Sequence, residues 1–246
     1  MISSDDDYSG DNGRWPVRCL LASVPPPDRP GLLRIGVLRR YDRGDILMRD
    51  GEAGQDAFLI TDGCVKVLGD NAEGNPALLA VRMTGDLVGE LSVLDGKPRS
   101  STVQAASPTR TRVIPGRDLL AFLSTHPATA AAVHNNVTAK LREAIRDRID
   151  LNGAPVALRL ARVILKLGTA YGTEVPEGVL IGAPLSQADF GSLVGTTEQS
   201  IRRALGTLRD EGLVLSHYRK LIVTDMNRLR EMAHGRAPAS RDRRIR

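Results

Sequence analysis

Between Tyr41 and Lys97 the chain is punctuated by five glycine-bearing turns, YDRGD, RDGEAGQ, TDGC, MTGD and LDGK, whereas from about residue 128 to Leu151 it has no strong breaker at all. This change of texture constrains the fold more than any other feature. The runs between the turns, such as DAFLI, CVKVL and LLAVRM, are of strand length. Short strands at near-regular spacing with glycine turns predict a β-barrel or jelly-roll-like sandwich, placed at residues 30–124. The breaker-free segment, rich in Ala, Leu, Arg and Glu, predicts a helix of about 20 residues or more, assigned to residues 125–152. Asn152-Gly153-Ala154-Pro155 supplies its stop and a hinge.

On that helix His134, Val137, Leu141, Ala144, Arg148 and Leu151 follow a three-four spacing, the seam of a two-helix coiled coil with two polar interruptions. The dimer interface is therefore assigned to Val137, Leu141, Ala144, Arg148 and Leu151, with His134 as a tolerated polar seam residue. A second stripe, Ile145 and Ile149, is expected to face the β-domain. The plainer alternative is an amphipathic helix packed on its own domain.

Beyond the hinge, at 153–235, come a helical run (Val156 to Leu167), a loop rich in Gly, Pro and Glu (Gly168 to Gly178), and LSQADFGSLVGTTEQSIRRALGTLRDEGLV. In that stretch Gly191, Gly195 and Ile201 fall at the spacing of a helix-turn-helix. Gly191 admits a close crossing, Gly195 ends the first helix in the left-handed region, and Ile201 anchors the second inward. Ser186 with Asp189 and Thr196 with Gln199 are read as the two N-terminal caps. His217-Tyr218-Arg219-Lys220, between two apolar runs, reads as the basic tip of a hairpin wing. The fold class is α+β: a β-roll, a long dimerisation helix and a C-terminal winged helix-turn-helix.

Charge supports a nucleic-acid partner for the last part. Residues 153–246 hold fifteen Lys/Arg against nine Asp/Glu, a net of +6, while residues 1–152 hold nineteen against twenty, a net of −1. A helix presenting Thr196, Thr197, Glu198, Gln199, Ser200, Arg202 and Arg203 can enter a major groove, with Arg219 and Lys220 of the wing on phosphates. The last residues, 236–246, form a basic tail expected to be disordered. So is the N-terminal tail, 1–29, with its DDD and PPP.

Other classes are disfavoured. Two cysteines cannot supply a four-ligand zinc or iron–sulfur site. There is no nucleophile–base constellation, metal-ligand cluster or Walker loop, so no enzyme is expected. An acidic N-terminus and the lack of a long apolar run favour a soluble cytoplasmic protein with no membrane partner.

One stretch remains, GELSVLDGKPRSSTV (Gly89 to Val103), in which Glu90 and Arg99 stand nine positions apart across a glycine-bearing loop. Together with GEAGQDAFLITDGCVKVL before it and the helix-turn-helix after it, it stands in the order found in the bacterial cyclic-AMP receptor protein and FNR superfamily of transcription regulators. The chain resembles that superfamily from about residue 30 to about residue 232. The resemblance implies a cyclic nucleotide, cyclic AMP first and cyclic GMP as the alternative, with no metal and no iron–sulfur cluster. Glu90 would accept a hydrogen bond from the ribose hydroxyl and Arg99 would pair with the cyclic phosphate. Gly89 would admit close backbone approach, Ser100 would give a hydroxyl or N–H to the phosphate, and Leu91 and Ser101 complete the cassette set.

On the long helix, Ala144 and Ile145 stand where the best-known cyclic-AMP-binding members place hydroxyl residues. Arg148, one turn on, is a base contact, a partner for an acid across the dimer, or a surface residue. The recognition helix departs too, with Glu198 and Gln199 where those members carry a base-reading arginine and a glutamate; Arg203 matches their second arginine. Arg203 is assigned a base contact, and Arg202 a base or a phosphate. A homodimer on a pseudo-palindromic duplex is implied, and RNA polymerase is a partner by resemblance alone. The alternatives are a ligand-independent regulator in which Glu90 and Arg99 neutralise each other, and an adaptor whose winged helix docks protein.

Overall fold

The computed structural model describes residues 15–70, 76–151, 153–217 and 220–235. It divides into two compact units, one running through Gly69 and then Val81–Val137, the other comprising Asp70–Ala80 and Thr138 onward. In chain order the elements of the first part are α1 (Leu20–Ser23), α2 (Arg29–Arg34), β1 (Val37–Tyr41), β2 (Ile46–Met48), β3 (Asp56–Asp62), β4 (Cys64–Asp70), β5 (Pro76–Met83), β6 (Leu87–Val88), α3 (Glu90–Asp95), β7 (Thr102–Ala105), β8 (Thr109–Pro115) and α4 (Gly116–Thr125). The long α5 (Pro127–Leu151) follows, then α6 (Val156–Tyr171), β9 (Gly172–Val175), β10 (Gly178–Ile181), α7 (Gln187–Val194), α8 (Glu198–Asp210), β11 (Val214–His217), β12 (Lys220–Val223) and α9 (Met226–Ala233). No described helix is long and apolar enough to cross a membrane.

Two four-stranded sheets, β1-β8-β3-β6 and β2-β7-β4-β5, form the β-roll. Strand β3 explains the run DAFLI, because it is buried on both faces. Phe58 and Ile60 join Met48, Val65, Val88 and Val103 in one apolar cluster. Ala57 and Leu59 join Leu87, Ile114, Leu119 and Val133 in the other. A strand covered on both sides reads as a continuous apolar run rather than an alternating one.

The second cluster corrects the expectation of disorder through residue 29. Cys19, Leu20, Leu21 and Val24 are at most 1% exposed within it, and each fully buried leucine stabilises the fold by about 1.5–3 kcal/mol. Arg29 donates from Nε to the Val24 carbonyl (2.9 Å), and Thr129 on α5 donates to Asp28 (2.6 Å). The composition of PPP and its neighbours suggested a solvated tail; the apolar residues just before it find long-range partners. Burial pushes the Cys19 thiol up to about 11, so it stays protonated at neutral pH. The rest of both predicted tails, residues 1–14 and 236–246, lies outside the described residues.

In the second unit α6 buries Leu160, Ala161, Ile164 and Leu167. It runs four residues beyond the expected end, and the loop expected at 168–178 is a hairpin instead, adding β9 and β10 to the wing in the sheet order β11-β12-β10-β9. Gly178, at φ +139, makes this possible, since a Cβ there would meet the Val223 carbonyl. The C-terminal half of α5 is tied to α6 by ion pairs, Lys166 to Glu143 (3.0 Å) and Asp147 (2.9 Å), and Arg162 to Asp150. Its other side is open. Leu141, Ile145, Ile149 and Leu151 are all exposed, by 60%, 51%, 65% and 46%. Ile145 and Ile149 lie four and eight positions after Leu141, on the same side of α5.

Candidate ligand site and nucleic-acid interface

The first unit gathers the cassette around one buried cation. Gly89 sits between β6 and α3 at φ +78, ψ 3, a left-handed conformation that only glycine adopts without strain. A Cβ on it would fall 2.8 Å from Arg99 Nη1 and 3.2 Å from Met48 Sδ. On the other side, a Cβ on Gly54 would fall 3.0 Å from both Nε and Nη2 of Arg99. The guanidinium thus lies between two glycines that make room for it, with its carbon 5.7 Å from the centre of the Phe58 ring, within cation–π range. The loop is fixed by backbone bonds: Arg99 N–H donates to the Glu52 carbonyl (2.9 Å), and Gly51 N–H to the Arg99 carbonyl (2.9 Å).

Arg99 is 5% exposed, and among the described residues its guanidinium makes one hydrogen bond, from Nη1 to the Gly89 carbonyl (3.0 Å), and no ion pair. Burial pulls its pKa down from the ordinary arginine value, and the carboxylates of Asp56 and Glu52 partly offset this. Its Nε and Nη2 make no hydrogen bond among the described residues yet are not sealed from solvent, which leaves their donors available to an anion. A phosphate, with oxygens spaced for bidentate pairing, fits that donor set.

The remaining cassette residues differ in burial. Glu90 and Ser101 are buried at 5% and 7% exposure, while Leu91 and Ser100 are exposed. Sequence reasoning missed Gly54, Phe58 and Met48 as cradle residues. Ala144, Ile145 and Arg148 lie in the second unit, on the exposed side of α5, and Val137 is half-buried.

In the second unit the helix-turn-helix is α7 and α8. Ser186 caps α7 in a capping box, its Oγ accepting from Asp189 N–H while the Asp189 carboxylate accepts from Ser186 N–H (2.8 Å). Such a cap contributes about 1 kcal/mol. Gly195 is left-handed at φ +65, and Thr196 N–H donates back to the Gly191 carbonyl (2.8 Å). That return bond puts Thr196 in the turn that closes α7, so the cap of α8 is Thr197, accepting from Ser200 N–H, and not Thr196 with Gln199.

Helix α8 buries Ile201, Ala204, Leu205 and Leu208, and exposes Glu198, Gln199, Arg202 and Arg203. Arg202 is held by Gln187 (3.3 Å) and Glu198 (3.4 Å), whereas the Arg203 guanidinium has no hydrogen bond or ion pair among the described residues. Lys220 is exposed at the start of β12; Arg219 lies outside the described residues. A cavity of about 310 Å³ between α7, α8 and the wing is lined mainly by apolar groups such as Phe190, Leu205 and Leu221, with Lys220 its single charged residue among the described residues. The Arg99 cradle carries more chemistry than this cavity.

Comparison with known proteins matches the two regions of the chain in turn. A family model described as a cyclic nucleotide-binding domain covers residues 38–126, and one described as a Crp-like helix-turn-helix domain covers residues 158–232. The chain is 28% identical to the cyclic AMP receptor protein of Thermus thermophilus over 81% of its own length and 89% of that protein's. In fold it is similar to FixK2 of Bradyrhizobium japonicum, with a TM-score of 0.70 at 20% identity, covering 84% of this chain and all of the other. It is also similar to the c-di-GMP-responsive global regulator CLP of Xanthomonas campestris, at a TM-score of 0.64 and 18% identity over 79% of this chain and 96% of that one.

Proposed function

Because the chain belongs to the CRP/FNR superfamily of transcription regulators, with a cyclic nucleotide-binding domain followed by a Crp-like helix-turn-helix, we propose that it is a homodimer whose DNA binding is set by a cyclic nucleotide, cyclic AMP first. The single observation that carries the ligand half of this reading is the buried Arg99, cradled by Gly54 and Gly89 and lacking an ion-pair partner among the described residues. In this reading Arg99 holds the cyclic phosphate with Ser100 and Ser101, Glu90 accepts from the ribose hydroxyl, and Gly89 and Leu91 shape the cradle. Ala144, Ile145 and Arg148 of α5 meet the base. With Ala and Ile at two of those positions, base selection rests on apolar contact and backbone groups rather than on side-chain hydroxyls.

The dimer forms through the open face of α5, by Val137, Leu141, Ala144, Arg148 and Leu151. Each copy then presents one α8, and two symmetric readers select a pseudo-palindromic operator with half-sites about one helical turn apart. Ligand shifts DNA affinity only by its differential affinity for two arrangements of the DNA-binding parts. Contact with RNA polymerase and a cytoplasmic location belong to the same reading.

Within α8, Arg203 is the base reader and Arg202, already held by Gln187 and Glu198, the positioned neighbour. Arg203→Ala should weaken operator binding by about tenfold and relax the preference at one base pair, since a bidentate arginine–guanine contact discriminates by about 1–3 kcal/mol. Competition binding against single-base operator variants measures both effects.

Calorimetric titration of the purified protein with cyclic AMP, cyclic GMP and cyclic di-GMP tests the ligand assignment. Saturable binding of cyclic AMP, tightest of the three, is expected. Heat from cyclic GMP or cyclic di-GMP alone would reassign the base, and no binding of any would leave Arg99 without the role given to it.

A further inference from the structure

We propose that Gly206 is a clearance position of the DNA interface, where the absent side chain lets the backbone of α8 lie against the duplex so closely that a Cβ would collide with it. The inference rests on reading α8 as the DNA-contacting helix. Gly206 lies in the interior of α8, three and four residues after Arg203 and Arg202, and therefore on their face one turn along. Glycine in a helix interior is destabilising relative to alanine, so its presence calls for a compensating reason.

The usual reasons are missing inside the chain. Gly206 is not among the glycines with positive φ, and, its two chain neighbours and the backbone of its own helix aside, no atom of the described residues lies within 4 Å of where its Cβ would be. Other glycines of the same unit behave differently. At Gly168 the Cβ would meet Met226 Sδ at 3.3 Å, at Gly191 it would meet the Thr196 carbonyl at 2.9 Å, and Gly195 needs its left-handed φ of +65. Each of those is explained by this chain's own atoms; Gly206 is explained by none.

The space is thus kept clear for something that comes from outside, and its surroundings indicate what. Helical Cβ atoms tilt toward the N-terminus, so a side chain at 206 would lean over the turn that carries Arg202 and Arg203. Two guanidinium groups around a bare stretch of backbone suit a polyanion that packs its sugar and base edges against the helix. A protein surface would gain from an apolar side chain at that point instead.

Two full-length variants, Gly206→Ala and Gly206→Gln, test this, because both residues are better helix formers than glycine. Each should raise the melting temperature by about 2–4 °C. The probe is the duplex that the wild-type protein, with cyclic AMP present, enriches from a random library of about 30 base pairs, long enough for two half-sites. Affinity for it should fall by about fivefold or more in the alanine variant, and further in the glutamine variant, as expected of overpacking a close contact. A gain in stability with unchanged or tighter DNA binding in both variants overturns the proposal. If the wild-type protein enriches no sequence and binds no duplex at low salt, the DNA reading of α8 fails first, and this inference with it.

Discussion

Replacing Arg99 with leucine should raise the dissociation constant for cyclic AMP by about a hundredfold or more, because truncating one partner of a buried, hydrogen-bonded charge pair costs about 2–5 kcal/mol or more. The folded protein should not suffer in return. Arg99 is 5% exposed and has no ion pair among the described residues, and the cost of its burial is only partly offset by the carboxylates of Asp56 and Glu52. Leucine lies beside Phe58 without that cost, and the backbone bonds from Glu52 and Gly51 are independent of the side chain. The melting temperature without ligand should therefore stay level or rise while binding is lost. Lysine at the same position keeps a charge but not the planar fork, and should retain weak binding. A fall in stability with binding intact would mean that Arg99 is a structural cation and that the phosphate site lies elsewhere.

Leu141→Asp should break the dimer, weakening self-association by about a hundredfold or more in sedimentation at micromolar concentration. Leu141 is 60% exposed in the single chain and shares one exposed face of α5 with Ile145 and Ile149. If two copies of that face meet, each leucine contributes about 1.5–3 kcal/mol of burial, and an aspartate there brings an unpaired charge from both chains to the same seam. The ion pairs of Glu143, Asp147 and Asp150 with α6 occupy the other side of the helix, so the monomer's own fold is left alone. Operator binding should fall with the dimer, since each copy then engages one half-site. A variant that still sediments as wild type would place the interface on another surface.

Local chemical patterns carried the parts of this molecule that sequence could resolve. Ser186 and Asp189 are three apart because a capping box closes within one helical turn, and Gly195 marks its turn because few residues accept a left-handed φ. Where two local solutions were available, the choice was made by a bond that only the folded backbone shows. In TTEQS either threonine can cap α8, and the bond from Thr196 to Gly191 settles it. Long-range facts were not legible. The burial of Cys19, Leu20 and Leu21 depends on Leu119 and Val133, about a hundred residues later. The hairpin of β9 and β10 is two four-residue strands, too short for a periodicity to stand out. Of the proposed ligand site, Glu90 and Arg99 stood out through their cassette. The other half of the cradle, Gly54 and Phe58, comes from more than forty positions upstream of Arg99 and carries no chemical group that would single it out.

The most direct test of ligand-gated DNA binding is a fluorescence anisotropy titration of an operator duplex with the wild-type protein, without and with saturating cyclic AMP. Ligand gating predicts that cyclic AMP tightens binding by about tenfold or more, within the range of ordinary allosteric coupling. It also predicts that the Arg99→Leu variant binds the same duplex with one affinity in both conditions. Equal wild-type affinity with and without ligand would contradict it, and would make this a regulator that binds DNA independently of its nucleotide domain.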